Sequence, residues 1–133
     1  LATQTVFTVA GSGEEGFQDG PTAQAKMRCP LGLVFDAAHN CLYFSDYGND
    51  RIRKVDLATQ TVSTVAGTGE AGFQDGPAAQ AKMGAPRELL YHPAQHCLYA
   101  SCGHRIRKIA FPPPAPRPPP PGRRGLKAAV CVF

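Results

Sequence analysis

The sequence repeats itself with a period of 56 residues, and this repeat restricts the fold more than any other feature. A period of this size, with one supersecondary unit per copy, is typical of propellers and other repeat architectures. In the second copy the last matching segment is offset by 54 residues, because two residues are lost between Ser101 and Arg105. The clearest matches are LATQTV at 1–6 and 57–62, GFQDGP at 16–21 and 72–77, and RIRK at 51–54 and 105–108.

Each copy contains four short segments rich in β-branched or aromatic residues, separated by turns that contain Gly, Asn or Asp. A connector over 11–30 precedes them, and Pro21 after Asp-Gly predicts about two helical turns over 21–27. Four antiparallel strands per repeat predict the blades of a β-propeller. The predicted strands of the first copy are 33–35, 41–45, 51–55 and 61–66.

The number of predicted strands is too small to close a ring. Residues 1–10 supply one outer strand, 31–66 one whole blade, and 87–110 three strands of another. Closed propellers usually have four to eight blades. The fold class is therefore all-β, an incomplete propeller of about two blades. We expect a fragment or a truncated gene product first, and a ring of several copies or blade edges that stay exposed and adhesive as alternatives.

A change of composition after Phe111 divides the chain into two regions. Residues 1–111 form the propeller segment, with repeats at about 1–56 and 57–110. Residues 112–133 are rich in Pro and Arg and predict a disordered tail with polyproline II character. The spacing Pro118-x-x-Pro121-x-Arg123 matches an SH3-type ligand, but a stiff linker is the preferred interpretation because such patterns are common in proline-rich runs.

Three motifs of the first copy resemble the NHL repeat. They are Pro30-x-Gly32-Leu33, then LYFSD at 42–46, then GNDRIR at 48–53. The resemblance covers about residues 1–110 and implies a propeller. Some relatives use basic surfaces to bind RNA or proteins, and some propellers of similar architecture are lyases or lactonases. The second copy departs from the pattern, because Cys102 stands where the first copy has Asp46.

Cationic residues recur on the last predicted strand of each copy. Because side chains alternate across a strand, Arg51 and Arg53 are expected on one face. We predict an interaction surface there, with a solvated face neutralised by Asp50 and Asp56 as the alternative. The predicted residues are Arg51, Arg53, Lys54, Arg105, Arg107 and Lys108.

The trio Asp46, Asn49 and Arg51 has the most motif-like spacing in the chain. One interpretation is a binding cluster on the surface. The preferred interpretation is a structural turn, in which Asp and Asn side chains bond to nearby backbone groups.

Two other patterns match the motifs of a nucleotide site and of a metal site only in part. Gly11-x-Gly13-x-x-Gly16 matches the dinucleotide fingerprint, but it recurs at 67–72 and no parallel βαβ unit follows. The ligand types in HPAQHCLYASCGH at 92–104 do not repeat in the first copy, and a zinc site needs four convergent ligands. We therefore predict no catalytic residues, no metal and no cofactor.

The leading hypothesis is a non-enzymatic scaffold that binds a protein partner. Alternatives are RNA binding through the Arg-rich strands, a propeller enzyme whose active residues lie in missing blades, and self-association through open edges. The net charge of +4 comes from the tail, so the body is neutral. No apolar run is long enough to cross a membrane. Five cysteines without a C-x-x-C spacing suggest a cytoplasmic location.

Overall fold

The computed structural model describes residues 3–113, 116 and 118–121, and this part of the chain is built from short antiparallel strands. One 3₁₀ turn, Tyr47–Asn49, separates the third strand from the fourth. The strands are β1 (Gly20–Pro21), β2 (Pro30–Asp36), β3 (Cys41–Asp46), β4 (Arg51–Asp56), β5 (Thr61–Ala66), β6 (Pro86–His92), β7 (Cys97–Cys102) and β8 (Arg105–Ala110).

The strands form two sheets, called blade 1 and blade 2 below. Blade 1 has five strands in the order β1-β5-β4-β3-β2, and blade 2 has three in the order β6-β7-β8. All the pairings between these strands are antiparallel. The predicted all-β fold of incomplete propeller blades is thereby confirmed. The boundaries of the two predicted regions remain predictions, and most of the Pro-rich tail at 112–133 lies outside the described residues.

The turns between the strands require backbone conformations that the local sequence supplies. Asn40 and Gln60, which close the β2–β3 and β4–β5 turns, have positive φ values of 48° and 55°. Asp56 Oδ1 accepts hydrogen bonds from the amides of Ala58 and Thr59, at 2.9 and 3.0 Å, and so closes the β4–β5 turn. The short polar side chain thereby replaces backbone partners that the turn leaves unpaired.

The main core lies between the two blades. Ile52 of blade 1 and Leu89 of blade 2 belong to one buried cluster, together with Tyr43 and Leu98. Gly32 makes the closest backbone approach, since a Cβ at this position would lie 2.3 Å from the Arg87 carbonyl oxygen. A smaller cluster on the other face of blade 1 contains Ala25, Phe44, Val55 and Val62.

Two local predictions about the connector regions are wrong. Residues 21–27 form a single turn, closed by the Ala25 amide on the Pro21 carbonyl at 3.0 Å, and not two turns of helix. A helix is prevented because Lys26 instead pairs with Gln18 in an antiparallel bridge. The outer strand predicted at the start of the chain is also missing, since residues 3–10 pair with no strand in the described part of the chain.

No helix in the described ranges has the length and apolar character that a membrane crossing requires.

Candidate functional site

Arg53 fixes the connector of blade 1 from inside the fold. Its side chain is 0% exposed, and its Nη2 donates to the Gln18 carbonyl and to Asp19 Oδ1, both at 2.8 Å. Its Nη1 donates to the Lys26 carbonyl and, at 2.9 Å, to Asp46 Oδ2. One guanidinium therefore joins β4, the end of β3 and both arms of the connector, which suits its planar fork of five donors.

Asp46 and Asn49 complete this buried network. Asp46 is 0% exposed, and its Oδ1 accepts from the Arg28 amide at 2.8 Å. Asn49 Nδ2 lies 2.7 Å from Asp46 Oδ2 and 2.9 Å from the Gly16 carbonyl oxygen, so it donates to both. In the structure these two residues bond the 3₁₀ turn to the connector through both Asp46 oxygens and Asn49 Nδ2.

Blade 2 repeats the buried arginine but not the buried carboxylate of Asp46. Arg107 donates to the carbonyls of Lys82 and Gln74, and its Nη2 lies 3.0 Å from Asp75 Oδ1. Cys102 replaces Asp46 in this blade. Burial raises the pKa of the Cys102 thiol, and this effect outweighs the opposing influence of the Arg107 charge. The partner of Arg107 at this position is therefore a neutral thiol.

A phenylalanine of each connector lies under the arginine that begins β4 in blade 1 or β8 in blade 2. The Arg51 guanidinium is centred 3.7 Å from the Phe17 ring, and that of Arg105 is 3.6 Å from the Phe73 ring. Arg51 also donates to the Thr68 carbonyl at 2.8 Å. These contacts have the cation–π geometry that stabilises a ring and a guanidinium against each other.

The predicted cationic surface is not a continuous exposed face. Arg53 and Arg107 are buried, which corrects their assignment to an interaction surface. Their guanidinium groups are needed inside, because the connector carbonyls would otherwise lack donors. Arg51 and Lys54 are half-buried, and of the six predicted residues only Arg105 and Lys108 are exposed. The sequence signal for the internal role is the recurrence of Gln-Asp in both connectors, at 18–19 and 74–75.

The glycine-rich segment of each connector uses its amides internally. The Gly11 amide donates to the Thr22 carbonyl at 2.9 Å, and the Gly16 amide donates to that of Met27 at 3.2 Å. The second copy repeats the first of these bonds, from Gly67 to Ala78 at 2.9 Å. A phosphate cradle needs such amides to point at a ligand. These amides instead bond the two arms of each connector together.

The outer edge of blade 2 borders an open space at the position where blade 1 has a strand. In blade 1, β5 lies between β4 and β1. The equivalents of these two strands in blade 2 are β8 and residues 76–77, and within the described ranges no strand lies between them. The space is a cleft of about 690 Å³ lined by residues 75–78, Phe73 and all of β8. It is called the strand slot below.

The equivalent carboxylates of the two blades, Asp19 and Asp75, differ in their contact with an outer strand. In blade 1, Thr64 of β5 donates to Asp19 Oδ2 at 2.8 Å, and the Asp19 side chain is 36% exposed. In blade 2, the equivalent Asp75 is 78% exposed. A strand placed in the slot with the geometry of β5 would bring a side chain at the position of Thr64 to this carboxylate.

A separate cluster of ligating side chains joins the blades at the β2–β3 and β6–β7 turns. Ligand atoms of Asp36, His39 and His96 lie within 4.8 Å of one another, so they are the described residues that could hold a metal ion. His39 Nδ1 lies 2.7 Å from Asp36 Oδ2, and His96 Nδ1 lies 2.8 Å from the Tyr91 hydroxyl.

The arrangement of the two imidazoles favours packing over metal coordination. The rings of His39 and His96 are stacked, with centroids 4.6 Å apart and planes 20° apart. Ring-nitrogen lone pairs lie in the ring plane, so those of stacked rings run side by side and do not converge as a metal site requires. In this geometry the cluster acts as a hydrogen-bonded contact between the blades.

Burial and hydrogen bonding together set the ionisation of the groups in this contact. Burial alone would raise the pKa of Asp36, but hydrogen bonds from His39 and Tyr91 and the charge of His39 outweigh it and lower that pKa. Burial, followed by the hydrogen bond to Asp36, raises the pKa of Tyr91 to about 12. Burial also raises the pKa of Tyr43. The carboxylate is therefore the charged member, and both phenols stay protonated as donors.

Two stacked antiparallel blades, joined by a repeated and internally bonded connector, define the chain as a segment of a β-propeller. The repeat region is also similar to curated proteins, some of which are named for their NHL repeats. It is 42% identical over 55 residues to NHL repeat-containing protein 2 of Homo sapiens, covering 41% of this chain and 8% of that protein. It is 33% identical over 97 residues to Protein SUPPRESSOR OF QUENCHING 1, chloroplastic, of Arabidopsis thaliana. This match covers 71% of this chain and 9% of that protein. No protein-family profile matches the chain.

Solved structures show the same architecture. A protein of unknown function from Bacteroides thetaiotaomicron superposes with a TM-score of 0.70 and 28% identity, over 76% of this chain and 26% of that one. An auxiliary nutrient binding protein of the same organism superposes with a TM-score of 0.67 and 29% identity, over 77% of this chain and 28% of that one. These likenesses confirm the resemblance to the NHL-repeat β-propeller family. The chain spans less than a tenth of these curated relatives and about a quarter of these structures.

Proposed function

We propose that the chain is a non-catalytic scaffold that binds a protein partner by accepting one of its segments as a β-strand in the strand slot. Its likeness to NHL-repeat proteins, and to a structure named as a nutrient-binding protein, supports a binding role. Its buried charges support a structural use, because Asp46 and Arg53 are bonded to each other and to the connector.

The observation that carries the proposal is the unpaired outer edge of β8. Cys102 and Arg105 pair across the two-residue turn at 103–104, and pairs that flank such a turn bond to each other through the backbone. Because bonding alternates along an antiparallel strand, Arg105, Arg107 and Ile109 bond to β7. Ile106, Lys108 and Ala110 therefore direct their backbone groups into the strand slot.

Strand addition suits this edge. An added strand gains backbone hydrogen bonds from the exposed edge, and its specificity comes from the pockets that receive alternate side chains. Here the edge is supplied by β8, and the far wall of the slot by residues 76–77, whose equivalents in blade 1 pair with β5. The ligand class is thus an extended polypeptide with small or β-branched residues at alternate positions.

A labelled peptide tests the proposal directly. Residues 57–66 (LATQTVSTVA) include β5, which occupies the equivalent position in blade 1. A fluorescein-labelled copy of this peptide should bind the full chain in an anisotropy titration, and a peptide of scrambled sequence should not.

Two substitutions at one residue separate backbone pairing from side-chain contact. Lys108→Pro removes an amide that faces the slot, and proline is tolerated on an edge strand whose amide faces outward. This variant should lose peptide binding, whereas Lys108→Ala should keep it. Equal binding by both variants, or no binding by the unaltered chain, overturns the proposed function.

RNA binding is a second candidate, supported by the exposed cations Arg105, which lies over the Phe73 ring, and Lys108. Phosphate contacts make such binding weaker as salt rises. Arg51→Ala combined with Arg105→Ala should then abolish RNA binding at low salt. An unaltered chain that fails to bind RNA at low salt removes this candidate and leaves the peptide test unaffected.

A further inference from the structure

Equivalent residues of the two blades have opposite exposures. Ile52 of β4 is 0% exposed, whereas its counterpart Ile106 of β8 is 77% exposed. Leu89 of β6 is 9% exposed, whereas its counterpart Leu33 of β2 is 63% exposed. Ile52 and Leu89 lie in the core cluster between the blades. The two open faces thus carry the same pair of residues that closes the interface between the blades.

The start of the chain carries the strand that blade 2 lacks. Residues 5–10 (TVFTVA) match β5 (TVSTVA) at five of six positions. In the structure they pair with no strand in the described ranges, and Val6 and Phe7 are 98% and 78% exposed. Thus the chain contains an unused copy of the outer strand together with an unused position for one.

We propose that two copies of this chain join head to tail, with residues 5–10 of the second copy filling the strand slot of the first. This inference rests on the proposed function, since it names a second copy as the polypeptide that the slot accepts. The docking also brings Leu33 of the second copy towards Ile106 of the first, as Leu89 lies near Ile52, but at a wider spacing, because Glu88 stands where blade 1 has Gly32. The assembly therefore pairs backbone edges and buries apolar side chains at once.

The β4–β5 pairing fixes the register of the added strand. Lys54 pairs with Ser63 in blade 1, so Lys108 is expected opposite Phe7 of the second copy. Val55 pairs with Val62, so Ile109 is expected opposite Val6. With this register, Thr8 of the second copy takes the position of Thr64, where its hydroxyl reaches the exposed Asp75.

The core of blade 2 lacks the side chain that completes the equivalent cluster in blade 1. In blade 1, Val62 completes the small cluster with Ala25, Phe44 and Val55. The counterparts of these last three residues are all buried in blade 2, and the position equivalent to Val62 is the one that Val6 of a second copy would occupy. The counterparts are Ala81, Ala100 and Ile109.

A second copy fits better than the same chain folding back. The Gly11 and Ser12 amides bond to the carbonyls of Thr22 and Ala25, at 2.9 and 2.8 Å, and fix the preceding segment to blade 1. Phe7 lines a groove there with Val55, and β8 belongs to the other blade. A head-to-tail contact uses two different surfaces, so it leads to a ring or a filament. With two blades per copy, a ring of two to four copies matches ordinary propellers.

Disulfide trapping between two different variants tests the pairing. One chain carries Phe7→Cys and the other Lys108→Cys, both with Cys29→Ser and Cys131→Ser. Cα atoms of paired antiparallel residues lie within the range that a disulfide spans. Mild oxidation of the mixture should give a covalent heterodimer. A control chain with Glu88→Cys, an exposed position on β6, should give at least tenfold less. Equal yields, or no heterodimer, overturn the inference.

Molar mass in solution gives a second measurement on the intact chain. Light scattering should show multiples of 14.1 kDa that increase with concentration. Val6→Asp should weaken self-association at least tenfold and leave the thermal midpoint of the dilute protein unchanged, because Val6 is exposed in the single copy. A chain that binds the labelled peptide but stays monomeric refutes the inference and leaves the proposed function standing. A chain that does neither refutes both.

Discussion

Arg53 Nη1 lies 2.9 Å from Asp46 Oδ2, and neither side chain is exposed to solvent. This ion pair is the centre of the contact between strand and connector in blade 1. Removing one partner of a buried pair leaves an uncompensated charge, which costs more than the pair itself contributes. The same position in blade 2 holds a thiol, so the two blades form an internal comparison.

Asp46→Ala should lower the free energy of unfolding by about 3–5 kcal/mol, the usual loss when a buried charge loses its partner. The comparison in blade 2 is Asp75→Ala, at the counterpart of Asp19, which removes from Arg107 a carboxylate that is 78% exposed. Water reaches this carboxylate and screens its attraction to Arg107, so this loss should be smaller. Urea unfolding followed by circular dichroism measures both. Equal losses would contradict the internal role of Asp46.

Cys102→Asp should stabilise blade 2, because it restores a carboxylate beside Arg107 where blade 1 has one. Cys102→Asn has nearly the same shape without the charge, and it should not reproduce the gain. The thermal midpoint measures both variants at neutral pH. A lower midpoint for the aspartate variant than for the asparagine variant would show that Arg107 does not need a buried anion.

Asp36→Asn should make the free energy of unfolding depend less on pH in the acid range. Because the folded-state pKa of Asp36 is lowered, the unfolded chain binds its proton more readily. This contribution is complete above the unfolded pKa of about 3.9 and is lost as pH falls through the folded pKa. Unfolding in urea between neutral pH and about pH 2 measures the change. Asp56, whose pKa is also lowered, keeps part of the dependence in the variant.

Gly32→Ala should separate the blades and cost about 1–3 kcal/mol, the range for overpacking in a core. The reason is the 2.3 Å approach of the added carbon to the Arg87 carbonyl oxygen, which is backbone and cannot rotate away. Glu88 occupies the equivalent position in blade 2 and is exposed. Glu88→Ala should therefore change the unfolding midpoint little, and a large change there would contradict the argument.

The sequence predicts the strands well because their signals are local. The β-branched runs and the turn residues lie within each 56-residue copy, and both copies carry them. The burial of Arg53 could not be predicted in the same way, because its partners Gln18 and Lys26 lie far away in the chain. The same long-range bonds explain the wrong helix at 21–27, where tertiary bridges replace local helical bonds.

The strand slot was partly visible in the sequence. The match of residues 1–10 to the outer strand of the first blade indicated a strand without its own blade. Only the structure shows that blade 2 keeps both walls of the position that such a strand would occupy. The contact of Asp36, His39 and His96 gave no usable signal, because it depends on how two turns from different copies meet.

The unit of sequence and the unit of packing are out of phase in this chain. Residues 57–66 open the second copy, yet β5 within them belongs to blade 1. Each copy therefore completes the blade before it. Insertion of another 56-residue copy would fill one vacancy and create an identical one at the far end. Duplication of a repeat therefore leaves the number of exposed edges unchanged. The gene can thus change its number of blades by a simple route.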